Sequence, residues 1–510
     1  MEATAAGDLR KLQDLRRSQA RARPITGGAW LATRPRMRPR PLIALMLVSG
    51  LVQSACGSGP RPSPRTPIAT LGAFSTSGAR PAPPRFWTAF GDPALDALVE
   101  QALTAGFDVP MAWARLRQAD AAARAAGASR FPTVDASAGA GASASGLDGA
   151  ATRTSVSVGV AASYELDLWG GVAAGRDAAT WSAHAARADV DAAAITVAAQ
   201  LASAWYRRAA AVAEVTLLEE DLAASEATLA LVAARVGGGV APDSDRLRQT
   251  QAVEALRGQL AVARGAARTA DHAINALRGA APDAALPAAP TLPTVPALPA
   301  TGVPATILGQ RPDVAAAWAR VEAADRAVAQ AVAERYPRLS LSASLASTGQ
   351  LEGWLANLAA NLVAPLFDGG SRAAAVDRAA GGVDVALLGY RATVIAAAVE
   401  VEDALVDEAA QAALVASLDR QLALAAATLA AVRAQYVAGA TDQLHVLAAE
   451  QSYQGVARSR LGAARQAIDA RIALYRALAG PFPLAAPAEP AVDTRNPQAT
   501  AARGPARSRG

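Results

Sequence analysis

The chain has one cysteine in 510 residues, Cys56, which excludes an intramolecular disulfide and any cysteine-rich metal centre. Its three histidines, His184, His272 and His445, stand far apart in helical contexts without a neighbouring cysteine, which argues against a zinc site within one subunit. Aromatic residues make up 4%, and the 52% apolar content is mostly alanine. Alanine favours helix and close helix contact but buries little area per residue, so long packed helices suit this composition better than a thick globular core. There is no phosphate loop, because Gly237-Gly238-Gly239 follows a helical pattern and reads as a helix stop. No Ser/His/Asp arrangement has supporting context, so neither an enzyme nor a bound cofactor is expected. Long hydrophobic runs are also missing, apart from Pro41 to Ala55, and those fifteen residues are too few to cross a bilayer as a helix.

The formal charge of +5 comes from one end of the chain. Residues 1–56 hold Lys11 and nine arginines against Glu2, Asp8 and Asp14, a net of +7 that leaves −2 for the remainder and removes the argument for nucleic acid. Within that segment Arg38 and Arg40 precede the apolar run, which ends in Ser54-Ala55-Cys56, the layout of a secretory signal. Met37 begins a compact signal at 37–55, so residues 1–36 read as a start placed too early. The junction resembles a bacterial lipobox, in which the Cys56 thiol takes a diacylglycerol and the chain is cut before it; Gln53 stands where that pattern has an apolar residue. Gly57 after the cysteine, where an Asp would suggest inner-membrane retention, favours delivery to the outer membrane in the lipoproteins this resembles.

What remains contains itself twice. Asp108-Val109, Trp113-Ala114-Arg115 and Arg130-Phe131-Pro132 recur without a gap as Asp313-Val314, Trp318-Ala319-Arg320 and Arg335-Tyr336-Pro337, at a constant offset of 205. Leu168-Trp169-Gly170-Gly171 answers Leu366-Phe367-Asp368-Gly369-Gly370, and Gly239, Leu247 and Gln251 answer Gly439, Leu447 and Gln451. A unit of about 200 residues exceeds solenoid and propeller periods and reads as a duplicated half-protein.

Each half predicts a helix (Asp108–Ser129 and Asp313–Glu334) broken at Pro132 or Pro337. Strict alternation follows, with Val156, Val158, Val160, Ala162 and Tyr164 between small residues, and Leu339, Leu341, Ala343 and Leu345 between serines, which is a strand signal. Val134–Ser145 and Leu355–Leu366 alternate less cleanly and complete one hairpin per half, turning at Gly146–Gly149 and Gly349–Gly353. Proline-free stretches from Gly171 to Val236 and Gly370 to Val437 predict helices on the order of 90 Å long. Gly237-Gly238-Gly239 and Gly439 stop them, and Asp243 and Thr441-Asp442 are placed to cap the returning helices Ser244–Leu277 and Gln443–Leu478. The expected organisation is therefore a signal segment 1–55, a lipidated segment 56–92, repeat 1 at 93–279, a proline-rich strap at 280–309, repeat 2 at 310–480 and a disordered tail at 481–510.

Four membrane strands cannot close by themselves, and unpaired backbone groups facing lipid cost several kcal/mol each. Three subunits of four strands would make a twelve-stranded barrel, continued by the helices as a tube. Phe86-Trp87, Phe90-Gly91-Asp92-Pro93-Ala94-Leu95, Tyr164-Glu165-Leu166-Asp167-Leu168-Trp169-Gly170, Gln310-Arg311-Pro312-Asp313-Val314, Pro365-Leu366-Phe367-Asp368-Gly369-Gly370, and Tyr436 with Gly439 resemble the TolC-like outer-membrane efflux protein family, in its NodT-type lipoprotein branch, over about residues 86–480. The resemblance implies a homotrimer of mixed α and β architecture, lipid-anchored in the outer membrane and reaching into the periplasm. There it would join an adaptor and an inner-membrane pump of the RND type, which supplies the energy, and would export drugs, metals or other small molecules. It also implies acidic residues at the narrowed periplasmic end. By position these are Asp442 in the second half and Asp243 or Asp245 in the first, although His445 and Ala448 occupy places where relatives carry Asp or Asn. The bland alternative is that these aspartates only cap helices. A lipid-anchored periplasmic adaptor is the other reading; it calls for one helical hairpin flanked by β-rich domains, and the duplicated hairpins oppose it.

Overall fold

A computed structural model of the chain describes residues 72–145, 151–302, 304–349, 353–484 and 486. The signal segment 1–55, Cys56, the turn expected at 146–149 and the tail beyond 486 lie outside the described residues.

The first half opens on strand β1 (Arg80–Pro81) and a single 3-10 turn, Phe86–Phe90. Asp92 then accepts backbone N–H bonds from Ala94 and Leu95 and starts helix α1 (Pro93–Ala105), with Pro93 at a position whose N–H would be unpaired in any case. Helix α2 (Asp108–Ala128), strands β2 (Thr133–Ser145) and β3 (Ala151–Leu166), and helices α3 (Gly171–Gly237) and α4 (Asp243–Leu277) complete it. The connector carries strand β4 (Pro299–Ala300) and a short helix, α5 (Pro304–Gln310). The second half repeats the plan with α6 (Pro312–Ala333), β5 (Arg338–Gly349), β6 (Trp354–Val363), α7 (Ser371–Val437) and α8 (Gln443–Leu478). Helices α3 and α7 have 67 residues each, so each is roughly 100 Å long. Strand β6 ends at Val363, short of the expected Leu366, because Pro365 has no N–H for a ladder.

The core is where the few aromatics collect. Phe86, Trp87, Phe90, Trp205, Tyr206, Tyr475 and Phe482 form one cluster around the middle of α3 and the end of α8, with Leu95, Leu98, Ile274, Ile468 and Ile472 between them. Trp205 Nε1 donates to Asp92 at 2.7 Å, so the cap of α1 is also fixed to the long helix. Elsewhere α3 buries mostly alanine, among them Ala194, Ala198 and Ala202, which lets helix backbones approach closely.

The proline-rich connector is tied to the helices by side chains that donate to its carbonyls. Asn275 Nδ2 donates to the carbonyls of Pro282 and Ala284, Arg208 to that of Pro287, and the buried Arg471 to those of Pro296 and Ala297 while pairing with Glu408. Strand β4 pairs in parallel with β1, and Gly78 lies so close to Leu298 that a Cβ there would overlap its carbonyl oxygen.

Candidate functional site: channel wall and hairpin tips

The four long strands form one antiparallel sheet in the order β2-β3-β5-β6. The register sets Val160 opposite Leu345, Tyr164 opposite Leu341, and Leu339 opposite both Leu166 and Leu362. One face is therefore apolar, with Val156, Val158 and Val160 on β3, Leu341 and Leu345 on β5 and Leu358 on β6, and Leu358 is 82% exposed. The other face carries Ser155, Ser157 and Ser163, Ser340, Ser342 and Ser344, and Asn357 and Asn361. A two-faced sheet with its apolar side bare is the pattern of a strand wall between lipid and water. At its foot, Trp169 stacks on Tyr336 with 4.8 Å between ring centroids and donates Nε1–H to the Pro337 carbonyl at 2.7 Å.

At the far end of the helices the two hairpin turns are built alike. Gly239 and Gly439 take φ of +74° and +75°, and the following N–H groups, of Val240 and Ala440, return to the carbonyls of Arg235 and Gln435. This left-handed turn is where glycine avoids a Cβ clash.

Asp442 caps α8: its carboxylate accepts the His445 backbone N–H at 3.1 Å and sits, exposed, 2.6 Å from His445 Nδ1. The His445 side chain and backbone N–H hold its carboxyl below the usual carboxylate range. Asp243 does not cap α4. Pro242 occupies the cap position, and Asp243 is the first helical residue, paired with Arg246 at 2.7 Å, which lowers its pKa. Asp245 is buried and pairs with Arg248. The three aspartates share one end of the molecule, but only Asp442 keeps an exposed carboxylate free of arginine.

Sequence reasoning missed the contact between the two hairpins. Arg235 on α3 lies 4.4 Å from the centre of the Tyr436 ring and donates to its carbonyl at 3.1 Å. Gln443 donates to Gln249 at 2.9 Å, and Gln249 donates to Ser225 Oγ at 2.9 Å. Buried Glu450 accepts from Thr228 at 3.1 Å and from Arg433 at 2.8 Å. Asp221 lies 3.9 Å from Arg458, too far for a hydrogen bond, and burial pushes its carboxyl up against the lowering effect of Arg458. These residues are polar positions on helices, and their only sequence signal is how they differ from their counterparts in the other repeat.

Residues 98–280 and 303–480 match the family described as outer membrane efflux protein. The chain is 31% identical over 469 residues to the pyoverdine export outer membrane protein OpmQ of Pseudomonas putida, covering 87% of this chain and 97% of the relative. It is 28% identical over 408 residues to the cation efflux system protein CusC of Escherichia coli K12, covering 77% of this chain and 88% of that one. The solved outer-membrane channel OprN superposes with a TM-score of 0.75 at 27% identity, over 82% of this chain and 98% of OprN. With a two-faced sheet, two hairpins of long helices and these relatives, the chain belongs to the outer membrane efflux protein family, as an outer-membrane channel component of an efflux system.

Proposed function

We propose that three copies close a twelve-stranded barrel and a helical tube below it, forming a passive exit duct for drugs or other small molecules. A periplasmic adaptor and an inner-membrane pump would feed the duct, and a lipid on Cys56 would add to its anchorage. The observation that carries this reading is the four-stranded sheet whose edge strands, β2 and β6, have no outer partner among the described residues while its apolar face is bare. Edges of this kind are not tolerated in lipid, and closure by further copies removes them. The helices support the same closure. Helix α6 packs on α3, with Arg320 and Asp189 2.6 Å apart, whereas the corresponding α7 leaves Val385, Leu388, Ile395, Val399 and Val406 exposed, as expected of a surface that meets α2 of a neighbour. The adaptor alternative gains no support from a chain with two helical hairpins and a four-stranded sheet.

The tips, with Asp442 nearest the axis, would form the gate, since three carboxylates brought together attract cations and repel one another. Native mass spectrometry in detergent is expected to find three chains. A stable monomer with intact β structure would refute the arrangement.

A further inference from the structure

At the foot of the sheet, where strands give way to helices, each strand of one copy ends beside an aromatic ring. Two of the four rings meet. Trp169, which follows β3, stacks on Tyr336, which precedes β5, and its Nε1–H reaches the Pro337 carbonyl. The other two are bare: Phe131, ahead of β2, is 70% exposed, and Phe367, after β6, is 93% exposed. They are the counterparts of the stacked pair, since Arg130-Phe131-Pro132 answers Arg335-Tyr336-Pro337 and Leu366-Phe367 answers Leu168-Trp169. Strands β2 and β6 are the two edges of the sheet, so the bare rings lie where a further copy would join.

The adjoining helices show the same asymmetry. Inside a copy α3 and α6 come so close that a Cβ on Gly171 would lie 2.9 Å from the Ala333 methyl, and one on Gly175 3.1 Å from the Gln330 side chain. The counterparts are Ser371 and Ala375 on α7, and Ala128 and Ala125 on α2. Ala333 is buried, whereas Ala128 and Ala125 are exposed. Alanine facing alanine leaves room for α7 to approach a neighbouring α2 as closely as α3 approaches α6.

The same correspondence gives a register. Tyr164 opposite Leu341 carries over to Leu362 opposite Ala136 of the next copy, and Ser163 opposite Ser342 to Asn361 opposite Ser137. Leu358, Ala360 and Leu362 then share the apolar face with Ala140, Ala138 and Ala136; a slip of one residue would turn the asparagines to that face. We infer that Phe367 of each copy stacks on Phe131 of the next, and that this contact sets the register in which β6 meets the neighbouring β2. The inference rests on the three-copy arrangement proposed above. Phenylalanine has no N–H to give the Pro132 carbonyl, so this corner lacks the hydrogen bond that Trp169 makes.

Cross-linking of the full-length channel in outer membranes tests it. Phe131→Cys with Phe367→Cys, treated with a short thiol-specific cross-linker, is expected to give linked dimers and trimers on a denaturing gel, and neither single variant is. Trp169→Cys with Tyr336→Cys is expected to link within one chain and stay at monomer size. Absence of linkage between copies, in a Phe131/Phe367 pair that native mass spectrometry still finds as three chains, overturns the inference. A wild-type channel found as a single chain would instead remove the three-copy arrangement, and the inference with it. If the cysteine pair does not assemble, Phe367→Trp decides. With an N–H again able to reach Pro132, its trimer is expected to withstand several degrees more heating before it separates on the gel. A trimer no more resistant than the wild type overturns the inference.

Discussion

At the scale of single residues, Asp442 and Glu450 are two carboxylates of α8 in opposite surroundings, one exposed and one buried. Asp442 is exposed and hydrogen-bonded to His445, so its carboxylate is charged at neutral pH. Replacing it with Ala is expected to lower cation preference and raise open-state conductance in planar bilayers. A residue that served only as a cap would leave both unchanged in an assembled channel. Its pH dependence follows from the sign of the shift. A carboxylate held below 3.8 stabilises the fold above that range and loses its contribution as the pH falls through the lowered value. Three neighbouring copies would push the titration the other way, so a cation preference that titrates above 3.8 is the expected mark of a carboxylate cluster. Glu450→Ala strands Thr228 and Arg433; because Arg433 is 44% exposed and can rehydrate, the loss is expected to be about 1–2 kcal/mol, read as faster hydrogen exchange along the contact between the hairpins with the strands unaffected. The capping place of Asp442 was legible in the sequence because it follows the Gly439 stop. Glu450 was not, since nothing near it says which helix its face meets.

At the scale of elements, alternation decided the strands. Val156 to Tyr164 and Leu339 to Leu345 were readable because a two-sided wall needs period two, and the register between the two hairpins then places all their apolar members on one face. The long helices were equally legible from the absence of proline between glycine stops. Helix α1 was missed although Asp92-Pro93 is a strong start signal, and α5 was hidden among prolines that read as extended chain. Asp243 was misread as a cap because Pro242 fills that place. The register also gives a paired test. Val160→Arg puts a cation on the apolar face and is expected to cost about 2–4 kcal/mol near the bilayer midplane. Ser342→Arg points to the polar face and is expected to leave folding intact while changing ion selectivity. Folding yield in liposomes measures the first effect and bilayer conductance the second; equal folding loss in both would mean that the faces are not lipid and water.

At the scale of the whole molecule, residues 74–78, downstream of Cys56, are tied to the helical body. Phe74 packs beside Val401, Leu405 and Leu474, and Ser75 donates its N–H and Oγ–H to Glu402 at 2.9 and 2.6 Å. Gly78 N–H donates to Pro299, and Thr301 Oγ1 to the Thr76 carbonyl. A lipid on Cys56 would therefore tether the helical body to the membrane independently of the barrel. Each buried methylene of an acyl chain contributes about 0.8 kcal/mol, and one chain alone holds only marginally, so several chains together with the proposed barrel would make release negligible. Mass spectrometry of the mature protein is expected to find residues 1–55 removed and Cys56 carrying lipid. Cys56→Ser is expected to lower the share recovered in outer-membrane fractions while native mass spectrometry still finds three chains, because the contacts from Phe74 onward do not involve the thiol. An unmodified Cys56, or cleavage elsewhere, would sink the anchor; loss of the trimer in the serine variant would show instead that the tether is needed for assembly.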